Sequence, residues 1–495
     1  MAMLVIDGFD KYGPVNTNNP GPLMLGEWAG GTNGAIALGL SSVGYAFNHN
    51  TQNSSVTRSL NSNVSRIIGG VRFNMNTTGT LSLVFYDTAT AQFSITAAAG
   101  SPIVIRTGSF SGTAIATSAP AIVVGTTHYV EWDVTVGTAG AYQVWLDGTS
   151  ILSGTGNTRG GTTNNYVNLF GFSQPVAVFG SIYDDLYLFD TTGTVNNAVL
   201  LTSPRVETTF PVSDSSVQFA IGASVIGSPV PRFSTASATP GANQLYLRPV
   251  TAARTMTLNS VSAMPSGTSA AINWRTVVYA DNSGLPGALL GQSNVGIGTT
   301  SGTVITGNLI SPVSLTAGVQ YWIGLHVDTT INWAQQDTLN QGRFASITFT
   351  LGPPSSAPAM SGGQLTMTIW GAVTLAVAAN FYEVNQQPPA GQYSYVYDSV
   401  VGHEDLYNFG ALSVIPTAVY AVSVKSYAAK SDTGVRTMSN RLLSSGVDSG
   451  GSLTGQTLSQ TFQWYATNFD TDPGTGAAWT GVGLNAAQSG FRIDS

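Results

Sequence analysis

The sequence predicts an all-β protein built from several sandwich or jelly-roll domains, and three observations predict it. Charged residues make up 8% of the chain, against roughly 25% in ordinary soluble domains, so the helix formers Glu, Lys and Arg are scarce. Aromatic residues are plentiful, with 20 Phe, 19 Tyr and 9 Trp, and together with β-branched residues they suit a pleated sheet. Gly, Ser, Thr and Asn recur at short intervals and supply turns between short strands. With 43% hydrophobic residues the chain can bury cores, unlike disordered sequences, which combine high charge with few aromatics. Its 495 residues exceed what one core holds, so about two to four domains are expected.

The same composition narrows the function classes. The formal net charge is −7 and no Lys/Arg cluster is present, which disfavours nucleic acid, whose phosphates demand basic patches. The chain has no cysteine, so disulfides, thiolate nucleophiles and Cys-type zinc sites are excluded. No segment reaches the roughly 18 apolar residues of a spanning helix, and membrane insertion is not expected. The opening MAMLVIDGFDKYG carries no basic n-region and is not read as a signal peptide. The expectation is synthesis in a cytoplasm and release by another route, such as lysis. A surface this poor in Lys and Glu suits coverage by copies of the chain or by partners.

Strands are predicted in order at 67–73, 81–86, 92–96 and 103–107. In 129–136 (YVEWDVTV) apolar and polar residues alternate with period two, as a half-buried strand requires. A turn at 137–140 leads to a return strand at 141–146, and Asp147-Gly148 is a hairpin dipeptide because Gly tolerates positive φ. A closing strand is predicted at 180–189.

The succession HYVEWDVTV, YQVWLDGTSIL and IYDDLYLFD, running from His128 to Asp190, resembles the concanavalin A-like (laminin-G-like) jelly-roll domains of tailed-bacteriophage virion proteins. LVIDGFDKYG, beginning at Leu4, resembles the N-terminus common in them. The resemblance implies a two-sheet sandwich over 1–202, and no activity, since that fold hosts lectins, hydrolases and plain structural modules. The stretches 204–219, 380–406 and 419–436 also resemble pieces of phage particle proteins that normally lie close together. Their wide separation here predicts a discontinuous β-domain, 203–224 plus 377–495, with a β-sandwich inserted at 225–376. Within the insert, 272–280 (INWRTVVYA) is a strand; near the C-terminus 418–427, 460–467 and 490–493 are strands, and 477–489 has room for one helical turn.

Candidate chemistry is sparse. Glycoside hydrolysis needs two carboxylates across a cleft; Glu131 and Asp133 share one side of a strand, a setting equally that of a solvated outer face. Asp184, Asp185 and Asp190 are weak calcium candidates, although neighbouring strand residues point to opposite faces, and polar alternation plus a turn is the preferred reading. His49, His128, His326 and His403 are dispersed, and no nucleophile elbow, P-loop or dinucleotide fingerprint occurs. No catalytic residue and no cofactor is assigned. Sugar C–H faces stack on exposed rings, and Trp28, Trp333, Tyr393, Tyr395 and Trp479 fall in loop-like or Gly-flanked positions, as candidates for glycan contact, although for any one of them core or interface packing is the preferred reading. Trp132, Trp145, Trp274, Trp322 and Trp464 lie within apolar strands and are expected in cores.

The expected function is that of a non-enzymatic structural component of a tailed-phage virion: a tail fibre, tail-associated adhesin or head decoration protein serving assembly and host-surface attachment. Its partners would be other virion proteins, a host surface glycan and copies of itself. A trimer is favoured, held by β-domain faces because no heptad segment is present. The inserted sandwich is the possible recognition module. The competing readings are a glycan-degrading depolymerase on the same scaffold and a non-viral carbohydrate-binding protein.

Overall fold

The computed structural model describes residues 3–12, 26–30, 35–38, 45–49, 54–174, 180–193, 195–227, 233–238, 241–376, 379–387, 389, 391–449 and 455–495. They form antiparallel sheets throughout, with short helical turns such as Gly481–Ala486. The chain divides into two compact units. One comprises 1–218, 387–389 and 398–495; the other comprises 219–386 and 390–397.

In the first unit, one sheet orders its strands as Thr149–Gly156, Gly140–Leu146, Thr127–Thr135, Arg66–Met75, Ser181–Phe189, Tyr45–His49 and Ala35–Leu38, with Met3–Asp7 also paired to Ser181–Phe189. The facing sheet runs Ala114–Ala121, Pro102–Thr107, Thr90–Ala98, Thr80–Asp87, Val167–Gln174, Ser54–Val64 and Ala29–Gly30. Asp147 and Gly148 turn the hairpin with φ of 51° and 76°, the positive values that a tight primed turn requires. Aromatic rings fill the space between the sheets. Trp132 from the first sheet meets Phe85 and Phe170 from the second at centroid distances of 5.6 and 6.3 Å, and Phe172 stacks on Tyr183 at 4.3 Å. Offset and edge contacts of this kind add to the burial of large apolar area.

Gly69 and Gly70 make this packing possible from the middle of Arg66–Met75. A Cβ on Gly69 would lie 2.5 Å from Trp132 Cζ2, and one on Gly70 2.6 Å from Tyr187 Cε1. Glycine within a strand commonly marks such close approach.

The outer face of the first sheet is also covered. Met3, Ile68, Tyr129, Tyr187 and Phe189 form a second apolar layer with Ala421, and Val199 and Leu200 pack on it. The remainder of this unit is a sheet ordered Pro211–Ser216, Glu404–Phe409, Gln488–Ile493, Thr437–Ser444 and Val447–Asp448, beside the paired strands Val422–Ala428 and Gln463–Phe469. Its small core gathers Val424, Leu442, Phe469, Trp479 and Ala487.

The second unit is a sandwich of its own. One sheet orders Val225–Gly227, Ile369–Leu375, Met256–Ala263 and Ile305–Leu315. The other orders Phe233–Ala238, Trp333–Ser346, Gln244–Thr251, Gln320–Val327, Ser269–Asn282 and Leu285–Gln292, with Gly296–Thr299 also on Ser269–Asn282. Leu258, Val261, Ile272, Val278, Ile323, Leu325 and Trp333 are in the core between them. The strand predicted at 272–280 extends over Ser269–Asn282.

Candidate functional site

The densest group of functional side chains is buried in the first unit, around the LVIDGFDKYG segment. Asp7, at the end of Met3–Asp7, accepts from Lys11 Nζ at 2.8 Å, Trp28 Nε1 at 2.9 Å, Tyr12 Oη at 3.1 Å and the Phe9 amide at 2.9 Å. Glu27 faces Lys11 at 2.7 Å, Arg58 at 3.0 Å and Lys425 at 3.1 Å, and accepts from Tyr12 Oη at 2.9 Å. Lys425, on Val422–Ala428, also donates to the Ile6 carbonyl at 2.9 Å. Two carboxylates and three cations thus share one buried pocket. Burial, partly offset by Asp7 and Glu27, lowers Lys425 to about 8. The cations around Glu27 outweigh its own desolvation and hold it well below the carboxylate range. Beside this group, burial raises Asp10 to about 6. Each polar group here is committed to another protein group, so the cluster is a structural clamp.

Glu131 and Asp133 are each bound to other protein groups. The expected solvated face is instead the second apolar layer, and Glu131 is buried beneath residues 199–201. It accepts from Tyr187 Oη at 2.6 Å and from the Leu200 and Leu201 amides at 3.1 and 3.0 Å. Asp133 is held by Arg66 through two bonds of 2.8 and 2.5 Å. Glu131→Ala should therefore cost about 2 kcal/mol, because it takes the acceptor from the buried Tyr187 hydroxyl and from the Leu201 amide, while the Leu200 amide keeps Tyr187 Oη at 3.2 Å. A urea titration followed by tryptophan fluorescence checks this, and an unchanged midpoint would refute the assignment.

The three calcium candidates are likewise occupied. Asp184 and Asp185 are both buried, against the expected alternation, because the pairing shifts between Asp184 and Tyr187 and Asp185 adopts φ of 50°. This bulge aims Asp185 at Arg72, 2.6 Å away, and at the Val206 amide at 2.7 Å. Asp190 accepts from the Thr192 amide and hydroxyl at 2.9 and 2.7 Å, closing a turn. Among the described residues no group of three or more acidic or histidine side chains is arranged to hold a metal ion.

Three of the five glycan candidates are core residues. Trp28 stacks on Phe172 at 5.5 Å, Trp333 has no exposed surface, and Trp479 donates to the Phe469 carbonyl at 3.0 Å from within the C-terminal core. Neighbouring glycines and loops here mark close packing, and a buried ring has no face to offer a sugar. Tyr393 and Tyr395 are half-buried; Tyr393 meets Trp370 edge-on at 5.3 Å. Trp132, Trp145, Trp274, Trp322 and Trp464 are all buried.

An open site lies on the second unit. A shallow depression of about 280 Å³ is lined by Arg275, Gln292, Ser293, Asn294, Val295, Ile310, Thr350, Leu351 and Gly352. It exists because pairing with Ser269–Asn282 is interrupted. Val277 pairs with Gln292 and Trp274 with Gly296, so Asn294 and Val295 bow outward beside Arg275 while Ser293 stays buried. The bow is pinned where the Ser293 amide donates to the Thr276 carbonyl at 2.9 Å and Ser293 Oγ accepts the Thr276 amide at 3.0 Å. The sequence analysis places 272–280 in a strand and does not single out Arg275, because nothing within INWRTVVYA marks it.

No family model and no curated protein matches the chain. Solved structures show partial likeness. Domain 4 of an extracellular GH43 arabinanase from Geobacillus stearothermophilus, in complex with arabinotriose, is 16% identical over 32% of this chain and 76% of that one, with a TM-score of 0.26. The carbohydrate-binding module CBM66 from Bacillus subtilis is 12% identical over 34% and 97%, with a TM-score of 0.25. A Bacillus subtilis protein of unknown function with a galectin-like fold is 13% identical over 34% and 93%, also with a TM-score of 0.25. The fold itself, antiparallel β-sandwiches of the jelly-roll kind, is shown by the sheet order of the chain described above.

Proposed function

We propose that this chain is a non-catalytic attachment and assembly component of a tailed-phage virion, with the second unit turned toward the host surface. The observation that carries the reading is the fate of the carboxylates. The pair a hydrolase on this scaffold would use, Glu131 and Asp133, is spent on Tyr187, two backbone amides and Arg66. The chain's chemistry goes into rigid modules. The resemblance of His128–Asp190 and of the opening segment to phage particle proteins supplies the setting, and the low charge suits a homo-oligomer, with a trimer favoured.

Labelling of intact particles tests this, with separate antibodies against 1–200 and against the second unit. Regular labelling over the head would make it a decoration protein, and labelling confined to the tail an adsorption protein; absence from particles would overturn the proposal. Deleting 226–375 across a short Gly linker should leave incorporation into particles intact while abolishing adsorption to cells, read by counting free particles after mixing. Loss of incorporation would assign the second unit to assembly instead.

A further inference from the structure

We infer that the depression around Arg275 is a binding site for a carboxylate-bearing saccharide, such as a uronic acid residue in a surface polysaccharide. The inference rests on the attachment reading and names what the second unit would attach to. Arg275 supplies the lining's one charge, and the lining holds no carboxylate. Its guanidinium has no ion-pair partner among the described residues, a state it shares with Arg106 and Arg159, but those two bond to several neutral protein oxygens. One protein bond is made, from Nη1 to the Phe349 carbonyl at 3.3 Å. The remaining N–H groups have no protein partner among the described residues.

The group is also held in place. The guanidinium sits over the Phe349 ring, 4.7 Å from its centroid, and Phe349 is buried against the His326 ring at 5.0 Å. His326 is fixed in turn by a bond between Nε2 and the Ile347 carbonyl at 2.9 Å. A fork anchored on one side by stacking and one hydrogen bond is pre-organised for a planar oxyanion, which it can meet with two parallel donors. Pre-organisation lowers the ordering cost of binding.

Size and lining select the class of ligand. A depression of about 280 Å³ falls just under the roughly 300 Å³ at which small-molecule pockets begin, so it holds one sugar residue at an open surface and is well short of a protein-sized interface. Gln292, Asn294 and Thr350 bring amide and hydroxyl groups that both donate and accept, as sugar hydroxyls do. Val295, Ile310 and Leu351 are 43%, 62% and 82% exposed and set aliphatic surface at the rim, where the C–H face of a pyranose can rest. With the whole chain at −7, a local cation such as Arg275 is what offers an acidic polymer attraction at this depression.

The test uses the full-length protein and a panel of short oligosaccharides: galacturonate, glucuronate and mannuronate oligomers, a sialylated trisaccharide, and neutral maltotetraose as control. Titration calorimetry should give binding to at least one acidic member and none to maltotetraose. Arg275→Gln should weaken binding by about ten-fold or more, and Arg275→Lys, which keeps the charge without the fork, should weaken it less. Asn294→Ala, in the exposed bow, should weaken binding with the fold intact. Exposed Arg436→Gln should leave binding unchanged. Failure of the whole panel to bind, or equal binding by Arg275→Gln, would overturn the inference. So would concentration-dependent self-association that Arg275→Gln abolishes, which would make the depression a contact between copies. Particles carrying Arg275→Gln separate this outcome from the attachment reading: if they adsorb normally, the site fails while attachment stands. If the protein is absent from particles, attachment fails whatever the panel binds.

Discussion

Glu27→Gln is expected to lower the stability of the first unit by about 3–5 kcal/mol, the cost of removing one partner from a buried ion group. Glu27 meets Lys11, Arg58 and Lys425. Without its charge, three buried cations would face Asp7 alone. Lys425→Met should cost much less. It leaves Asp7 and Glu27 against Lys11 and Arg58, two of each sign, and forfeits mainly the bond to the Ile6 carbonyl, worth about 1 kcal/mol. Linked proton binding separates the variants further. The folded value for Lys425, about 8, lies below the ordinary lysine value of 10.5. Between those limits the unfolded chain holds a proton that the folded chain has released, so stability rises with pH. The rise is at most about 3 kcal/mol. Urea unfolding from pH 7 to 10 should show it in the wild type and not in Lys425→Met. A larger loss in Lys425→Met than in Glu27→Gln would overturn this account of the cluster.

Gly69→Ala should cost about 1–3 kcal/mol although it adds a single methyl group. The added Cβ would sit 2.5 Å from Trp132 Cζ2 and 2.7 Å from Leu188 Cδ2, and both neighbours are fully buried. Trp132 is itself wedged between Phe85 and Phe170, so it has nowhere to go. Trp132→Phe alone should cost a similar amount by opening a cavity. The double variant, with the smaller ring beside the new methyl, should be clearly more stable than the sum of the two. Thermal unfolding of the four proteins measures the coupling, and strict additivity would show that the two residues do not compete for space.

The legible parts of the fold were those set by local rules. The alternation in YVEWDVTV and the Asp147-Gly148 dipeptide each specify backbone shape within a few residues, and strands Thr127–Thr135 and Gly140–Leu146 form where they predict. The two-faced burial of the same sheet was hidden, because the layer covering Glu131 comes from 199–201 and from Ala421. Trp28, Trp333 and Trp479 take the packing alternative rather than the glycan one, and their loop-like local setting could not decide between the two, because it says nothing of what packs on it from afar. The bulge at Asp185 broke the period-two rule that separated it from Asp184. The charge cluster was hidden by distance along the chain, since Lys425 meets residues near the opposite end. Its one local trace was the crowding of Asp7, Asp10 and Lys11 into a short stretch of a chain otherwise poor in charge.

The pairing of two acids with two bases has a consequence for how the molecule is made. Asp7, Lys11, Glu27 and Arg58 all leave the ribosome early, and among themselves they are electrically neutral. The first sandwich can therefore close its interior on a balanced set of charges long before residue 425 is synthesised. Lys425 then arrives as an additional proton carrier when Val422–Ala428 docks. The acid–base sensitivity of this unit thus belongs to a late assembly step, the seating of the C-terminal strands, and an early folding intermediate should be nearly indifferent to alkaline pH.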